Sequence, residues 1–85
     1  MKRSLPPPPV SLPSQALQIM WERVLHSIGE DLKPSVIEHH VARAGGVALA
    51  LEAAELITAE QHRAMSKQIR WAERTSYQRL ADQIE

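Results

Sequence analysis

The sequence predicts an all-α protein, a small four-helix orthogonal array or bundle with a proline-rich N-terminal arm. Apolar residues recur every three or four positions along most of the chain, which is the spacing of a helix with one buried face. Two capping-box patterns mark helix starts, and glycines follow the ends of periodic stretches. The chain has 85 residues, so it has room for one domain at most.

Residues 1–13 are predicted to form an arm, and residues 14–85 a single helical domain. Pro6 to Pro9 and Pro13 lack amide donors, so neither a helix nor a central strand can form there. A run of prolines favours the extended polyproline II conformation. Three interpretations stay open: a disordered tail, a proline ligand for another domain, and an ordered arm. An ordered arm would pack its prolines against an aromatic residue of the body, together with Leu5, Val10 and Leu12.

The first predicted helix runs from Ser14 to Ile28. Ser14 is suited to the N-cap, because its hydroxyl can accept a hydrogen bond from a free amide of the first turn. Gly29 provides the stop. The apolar face of this helix is made by Leu17, Met20, Trp21, Val24 and Ile28.

The middle of the chain predicts two helices separated by a glycine pair. Ser35 and Glu38 fit a capping box at the start of the second helix. Gly45-Gly46 is expected to end or sharply bend that helix. The stretch from Val47 to Leu56 is nearly all small or aliphatic, which is typical of a central, buried helix.

The fourth predicted helix begins with a second capping box, Thr58 with Gln61, and meets no glycine or proline before the C-terminus. A helix of that length would extend about 40 Å, so we expect its end beyond Thr75 to fray or to project towards a partner. The predicted core of the domain consists of Trp21, Val24, Ile28, Ile37, Val41, Leu49, Leu56, Met65 and Ile69.

Composition excludes several classes of protein. Cysteine is absent, so disulfides, thiolate metal sites and a cysteine nucleophile are excluded. The 10 basic and 10 acidic residues balance, so net charge gives no general attraction to nucleic acid or to anionic membranes. No stretch approaches the ~18 apolar residues of a membrane span. Lys2-Arg3 is followed by prolines rather than by an apolar signal segment, so we predict a cytoplasmic location and no membrane partner.

Enzymatic chemistry and metal binding are not predicted. His39 and His40 are adjacent, so on a helix they point about 100° apart and cannot share a face. The carboxylates are scattered, and no G-x-S-x-G motif or glycine-rich phosphate loop is present. We therefore expect no catalytic residues, no metal and no cofactor.

One pattern in the fourth helix suggests a binding surface. Four of its basic residues, Arg63, Lys67, Arg70 and Arg74, fall within about 60° of arc at 100° per residue, with Trp71 on one flank and Tyr77 on the other. Ordinary solvation of an outward helix face is the plain interpretation of such charges. The predicted contact set is Arg63, Lys67, Arg70, Trp71, Arg74 and Tyr77.

This contact set predicts a non-catalytic binding module, because Arg and Trp are typical of interface hot spots. Its basic charge predicts that the partner is a larger protein with an acidic surface. Nucleic acid is the alternative partner, since cations neutralise phosphates and aromatic rings stack on bases. A homodimer is a third interpretation. Small size suggests an accessory or inhibitor protein of a phage or plasmid.

Overall fold

The computed structural model describes residues 5–84, which form three helices preceded by an extended arm. The helices are α1 (Gln15–Ser27), α2 (Pro34–Ala53) and α3 (Ala59–Ile84). Within residues 5–84 there is no strand, which confirms the all-helical class. α1 and α3 run parallel, because Trp21 bonds to Gln68 and Gly29, just after α1, bonds to Arg79 further along α3. α2 runs against both, because Glu52 near its end contacts His62 near the start of α3, and Glu38 near its start acts on Tyr77. The prediction of four helices is wrong.

The number of helices differs because Gly45 and Gly46 do not break α2. Each glycine inside a helix costs about 1 kcal/mol relative to alanine, which burial can offset. Ala44, Ala48 and Leu51 lie on one side of α2 and are buried against the rest of the domain. The tertiary packing of this continuous face therefore overrides the local signal of the glycine pair.

The predicted capping box of α2 is also wrong. The N-cap is Lys33, which makes no side-chain capping bond, and Pro34 occupies the first turn. Proline suits that position because its fixed φ matches the helix and its missing amide would have had no partner there. The helix therefore begins before Ser35, which lies inside the first turn rather than ahead of it.

The predicted start at Val47 is wrong, because Val47 lies inside α2, whereas the predicted starts of the first and last helices are confirmed. Ser14 Oγ accepts from the Leu17 amide at 3.1 Å. At α3, Thr58 Oγ1 accepts from the Gln61 amide at 3.0 Å, and Gln61 Oε1 accepts from the Thr58 amide at 2.8 Å. These reciprocal bonds satisfy two amides that no helical carbonyl can reach.

The end of α2 is a Schellman motif. The Leu56 amide donates to the Leu51 carbonyl and the Glu55 amide to the Glu52 carbonyl, both at 2.9 Å. The residue that reverses the chain is Glu55, with φ of 61°. Glycine is usual at this left-handed position, since a side chain there crowds the backbone. The backbone at Glu55 is therefore strained in the turn between α2 and α3.

The core differs from the prediction at the end of α2. Trp21, Val24, Ile28, Ile37, Met65 and Ile69 are buried as predicted. Val41 is partly buried and packs against this core. Leu49 and Leu56 are 60% and 49% exposed, so their prediction as core residues is wrong. Leu51 and Ile57 are buried instead, because an unbroken α2 turns a different face inward from the one that two separate helices would bury.

Beyond Thr75, α3 does not fray but stays helical to Ile84; it contacts the turn after α1, and only its last residues, 81–84, are all exposed. Ser76 is fully buried and donates to the Ala72 carbonyl at 2.7 Å. Arg79 donates to the Gly29 carbonyl at 3.5 Å. Gly29 has φ of +101°, and a Cβ added there would lie 2.6 Å from Ser76 Oγ. The close approach of this turn to α3 therefore depends on glycine.

The described part of the arm, residues 5–13, is fixed to the body by glutamine side chains. Val10 is buried, whereas Leu5 is 87% exposed. The side chain of Gln18 donates from Nε2 to the Val10 carbonyl at 3.0 Å, and its Oε1 accepts from the Leu12 backbone amide at 2.8 Å. Gln61 donates to the Ser11 carbonyl at 3.0 Å. Both α1 and α3 thus hold the arm in an extended conformation.

We expect alanine to have opposite effects at two of the glycines. Gly29→Ala should lower the free energy of unfolding by about 1–3 kcal/mol, because it combines a positive φ with steric overlap. Gly46→Ala should raise it by about 1 kcal/mol, since an added Cβ meets nothing within 4 Å. Urea unfolding of both variants checks this, and equal effects at the two positions would contradict it.

Glu55→Gly should stabilise the protein by about 0.5–1 kcal/mol, because glycine adopts the left-handed conformation without a steric penalty. The matched control is Glu60→Gly, which places glycine in the first turn of α3 and should be destabilising. Thermal unfolding followed by circular dichroism distinguishes the two. A lower melting temperature for Glu55→Gly would show that the strain at the turn is not relieved.

Candidate functional site

Four of the basic residues of α3 form a ridge on the outside of the molecule. We use the name basic ridge for Arg63, Lys67, Arg70 and Arg74, all of which are exposed. The ridge points outward because the opposite side of α3 carries the buried residues Met65, Ile69 and Ser76. Four cations within three turns of one helix give this face a local positive charge that the net charge of the chain conceals.

Trp71 lies between the basic ridge and an open groove, which we call the arm groove. The indole is half-buried, and it lines the groove rather than the ridge itself. The arm groove has a volume of about 850 Å³ and is bounded by the arm, α1 and α3. Its residues from the arm and from α3 are Pro6, Pro7, Pro9, Gln68, Trp71, Ala72, Thr75 and Arg79.

The α1 side of the arm groove combines an apolar wall with a charged rim. Leu25 and Ile28 provide the apolar wall. The rim carries Glu22 and His26 of α1 and Glu30 of the turn that follows, and all three are exposed. The groove is therefore apolar inside, with carboxylates along the α1 edge and the basic ridge beyond Trp71 on the other side.

A part-buried hydrogen bond links the two helices that form the groove. Trp21 is 1% exposed, and its Nε1 donates to Gln68 Oε1 at 2.8 Å. If Gln68 were removed, the indole N–H would stay buried without a hydrogen-bond acceptor, which would lower the free energy of unfolding. The bond therefore sets the position of α1 along α3 at the point where the groove begins.

The N-terminal end of the basic ridge meets the arm. Arg63 and Lys67 line a shallow depression of about 660 Å³ together with residues 7–11 and Gln61. The arm thus lies between this depression and the arm groove, and it contributes a wall to each. A partner that contacts the ridge would also meet the arm.

Tyr77 lies on the flank of the ridge that faces away from the arm groove. It is half-buried and shares a shallow surface with Arg70, Glu73 and Arg74. Desolvation raises the pKa of the Tyr77 phenol, and the carboxylates of Glu38 and Glu73 raise it further. This flank therefore has negative charge next to the cations of the ridge.

His26 lies on the rim of the arm groove, and the other three histidines lie away from this surface. His62 contacts the Glu52 carboxylate between α2 and α3, where both side chains are partly buried. The rings of His39 and His40 meet edge to face with centroids 5.3 Å apart. Among residues 5–84, no group of three histidine, cysteine, aspartate or glutamate side chains is arranged to hold a metal ion.

Comparisons with known proteins assign no family to this arrangement. No family model matches the chain, and neither a curated protein nor a solved structure matches it at a significant level. Within the described part of the chain, none of the helices has the length and apolar character needed to cross a membrane. The function is therefore argued from the geometry of the surface.

The structure places the six predicted contact residues on one side of α3 and its flanks. Periodicity alone was enough to place them there. The arm groove, with Leu25, Glu22 and Thr75 among its residues, was missed. Its walls come from three segments that are distant in sequence, and no local pattern shows that they meet. The only signal in the sequence was Trp71, an aromatic residue at the edge of the charged face.

We expect the Tyr77 phenol to ionise above its ordinary pKa of 10.0. Glu38→Gln should lower that pKa towards the ordinary value, but not restore it fully, because desolvation is the larger cause. Since folding favours the neutral phenol, the free energy of unfolding should fall as pH rises from the ordinary pKa through the raised one.

The phenolate ultraviolet spectrum measures this pKa directly, because the chain has one tyrosine. The control is Glu60→Gln, which removes the same charge from the first turn of α3. An unchanged Tyr77 pKa in Glu38→Gln, or an equal decrease in both variants, would show that Glu38 does not act on the phenol.

Proposed function

We propose that this chain is a non-catalytic protein-binding module that uses the basic ridge and Trp71 to cap or block an acidic surface on a larger protein. The observation that carries the proposal is the line of four exposed cations beside a half-buried indole. Partly desolvated aromatic and arginine side chains provide most of the energy in many protein interfaces. The assignment to a phage or plasmid stays a prediction from size.

The electrostatic surroundings of the ridge favour carboxylates on a protein over the backbone of a nucleic acid. Glu38 and Glu73 act on Tyr77 at one flank, and Glu22 and Glu30 line the far rim of the arm groove. A duplex covers a broad surface with regularly spaced phosphates, and these would approach the flanking carboxylates. A narrow ridge of cations instead suits a few carboxylates at fixed positions on a protein partner.

Nucleic acid is the alternative partner, and it would use the same residues. With α3 as a recognition helix, Gln61, Arg63 and Lys67 would be available to bases and phosphates. Binding of that kind weakens by orders of magnitude between low and physiological salt. A protein interface anchored by Trp71 should lose less affinity over the same range, so salt dependence separates the two partners.

The test of the proposal is the charge-reversal variant Lys67→Glu/Arg70→Glu. The full chain is used to capture proteins from nuclease-treated cell lysate at two salt concentrations. Wild type should retain specific proteins at moderate salt, and the variant should lose them, with binding weakened by about 10–100-fold. Circular dichroism should show an unchanged fold, since both positions are exposed.

The matched control is Arg23→Glu/Arg43→Glu, which makes the same charge change at exposed positions of α1 and α2. This control should retain the proteins that wild type retains. The proposal is wrong if the ridge variant keeps those proteins. Recovery of nucleic acid alone, before nuclease treatment and only at low salt, would support the alternative.

A further inference from the structure

The arm groove is an apolar feature of which the proposed function uses only Trp71. Its walls include Leu25, Ile28 and Ala72, and the groove is open to solvent rather than enclosed. Small-molecule sites usually bury most of the surface of their ligand, which an open groove does not do. Its shape is better suited to a segment of another protein that covers it from outside.

The groove has the dimensions of a docking site for a helix. Its α3 residues Gln68, Ala72, Thr75 and Arg79 lie on one face of α3 and extend over about 16 Å at 1.5 Å per residue. Because α1 and α3 run parallel, the space between them has the form of a trough. A further helix can pack in the groove between two helices, as in a four-helix bundle.

Charge is distributed unequally across the trough. The rim formed by α1 and the turn after it carries the carboxylates of Glu22 and Glu30, and the basic ridge follows α3 beyond Trp71. The Arg79 guanidinium crosses only the far end of the trough, where it bonds to the Gly29 carbonyl. A helix lying in the trough would therefore face anions along one side and cations along the other. Carboxylates of that helix would be favoured towards α3 and ammonium or guanidinium groups towards α1, because like charges opposite one another are costly.

The arm completes the site with a wall that is already in place. Pro6, Pro7 and Pro9 border the groove, and the arm is held through Val10 by Gln18. Prolines have little conformational freedom to lose when a partner covers them. A wall of this kind therefore lowers the entropic cost of binding.

We infer that the arm groove binds an amphipathic helix of the partner protein, with its apolar side chains on Leu25, Trp71 and Ala72. Its acidic flank would lie on the basic ridge and its basic flank on the Glu22–Glu30 rim. This inference rests on the proposed function and specifies the secondary structure, charge pattern and orientation of the partner segment. Apolar anchors of a helix at three- and four-residue spacing suit such a groove.

The probe is a phage-displayed library of amphipathic helices. One face of each helix is fixed as leucine or phenylalanine, and the flanking positions are drawn from glutamate, lysine and glutamine. Selection on the full wild-type chain should enrich helices with glutamate along one flank and lysine along the other. Absence of enrichment, or enrichment of lysine on both flanks, would overturn the inference.

The groove itself is tested with Thr75→Arg. Thr75 is half-buried in the wall of the groove, and arginine there extends a long side chain across the trough, with the Glu22 and Glu30 carboxylates opposite. Binding of the selected peptide should weaken at least about tenfold, which corresponds to roughly 1.4 kcal/mol. Ala42→Arg makes the same charge change at an exposed position of α2 and should leave binding unchanged.

Equal binding of the peptide to wild type and to Thr75→Arg would place the contact elsewhere and overturn the inference. The proposed function fails separately, when Lys67→Glu/Arg70→Glu still retains the lysate proteins. If the ridge variant loses the lysate proteins while wild type selects no amphipathic helix, the proposed function stands and the inference about the groove is wrong.

Discussion

The close packing of α2 along α3 is the constraint on which the rest of the molecule depends. Ala44, Ala48 and Met65 are completely buried, and the two small side chains let the helices approach one another. This packing requires α2 to be continuous through Gly45 and Gly46, whose cost in helix stability is offset by the buried face. It also fixes which side of α3 points inward, and so directs the basic ridge to solvent.

The position of α1 then determines where a groove can exist. Trp21 is buried and bonded to Gln68, and Gly29 allows the turn after α1 to touch Ser76 and Arg79. These contacts hold α1 parallel to α3 at its middle and just beyond its C-terminal end. The space left between the two helices is closed on one side by the prolines of the arm.

The binding surface combines features of different physical origin. The cations of the ridge follow from the amphipathicity of a single helix, whereas the apolar groove exists because three segments meet around Trp71. A charged ridge beside an apolar groove lets electrostatics orient a partner while apolar burial provides affinity. The carboxylates at both edges restrict which partners fit, because they disfavour a uniformly anionic surface.

The sequence by itself determined the helical class, the Ser14 and Thr58 caps and the outward face of α3, because each depends on residues within a few positions of one another. The tertiary structure alone decided that Gly45 and Gly46 lie inside one helix. It likewise decided that Leu51 and Ile57, rather than Leu49 and Leu56, are buried. It also created the arm groove. These outcomes depend on contacts between segments distant along the chain, whose combined burial outweighs local preferences and leaves no periodic pattern in the sequence.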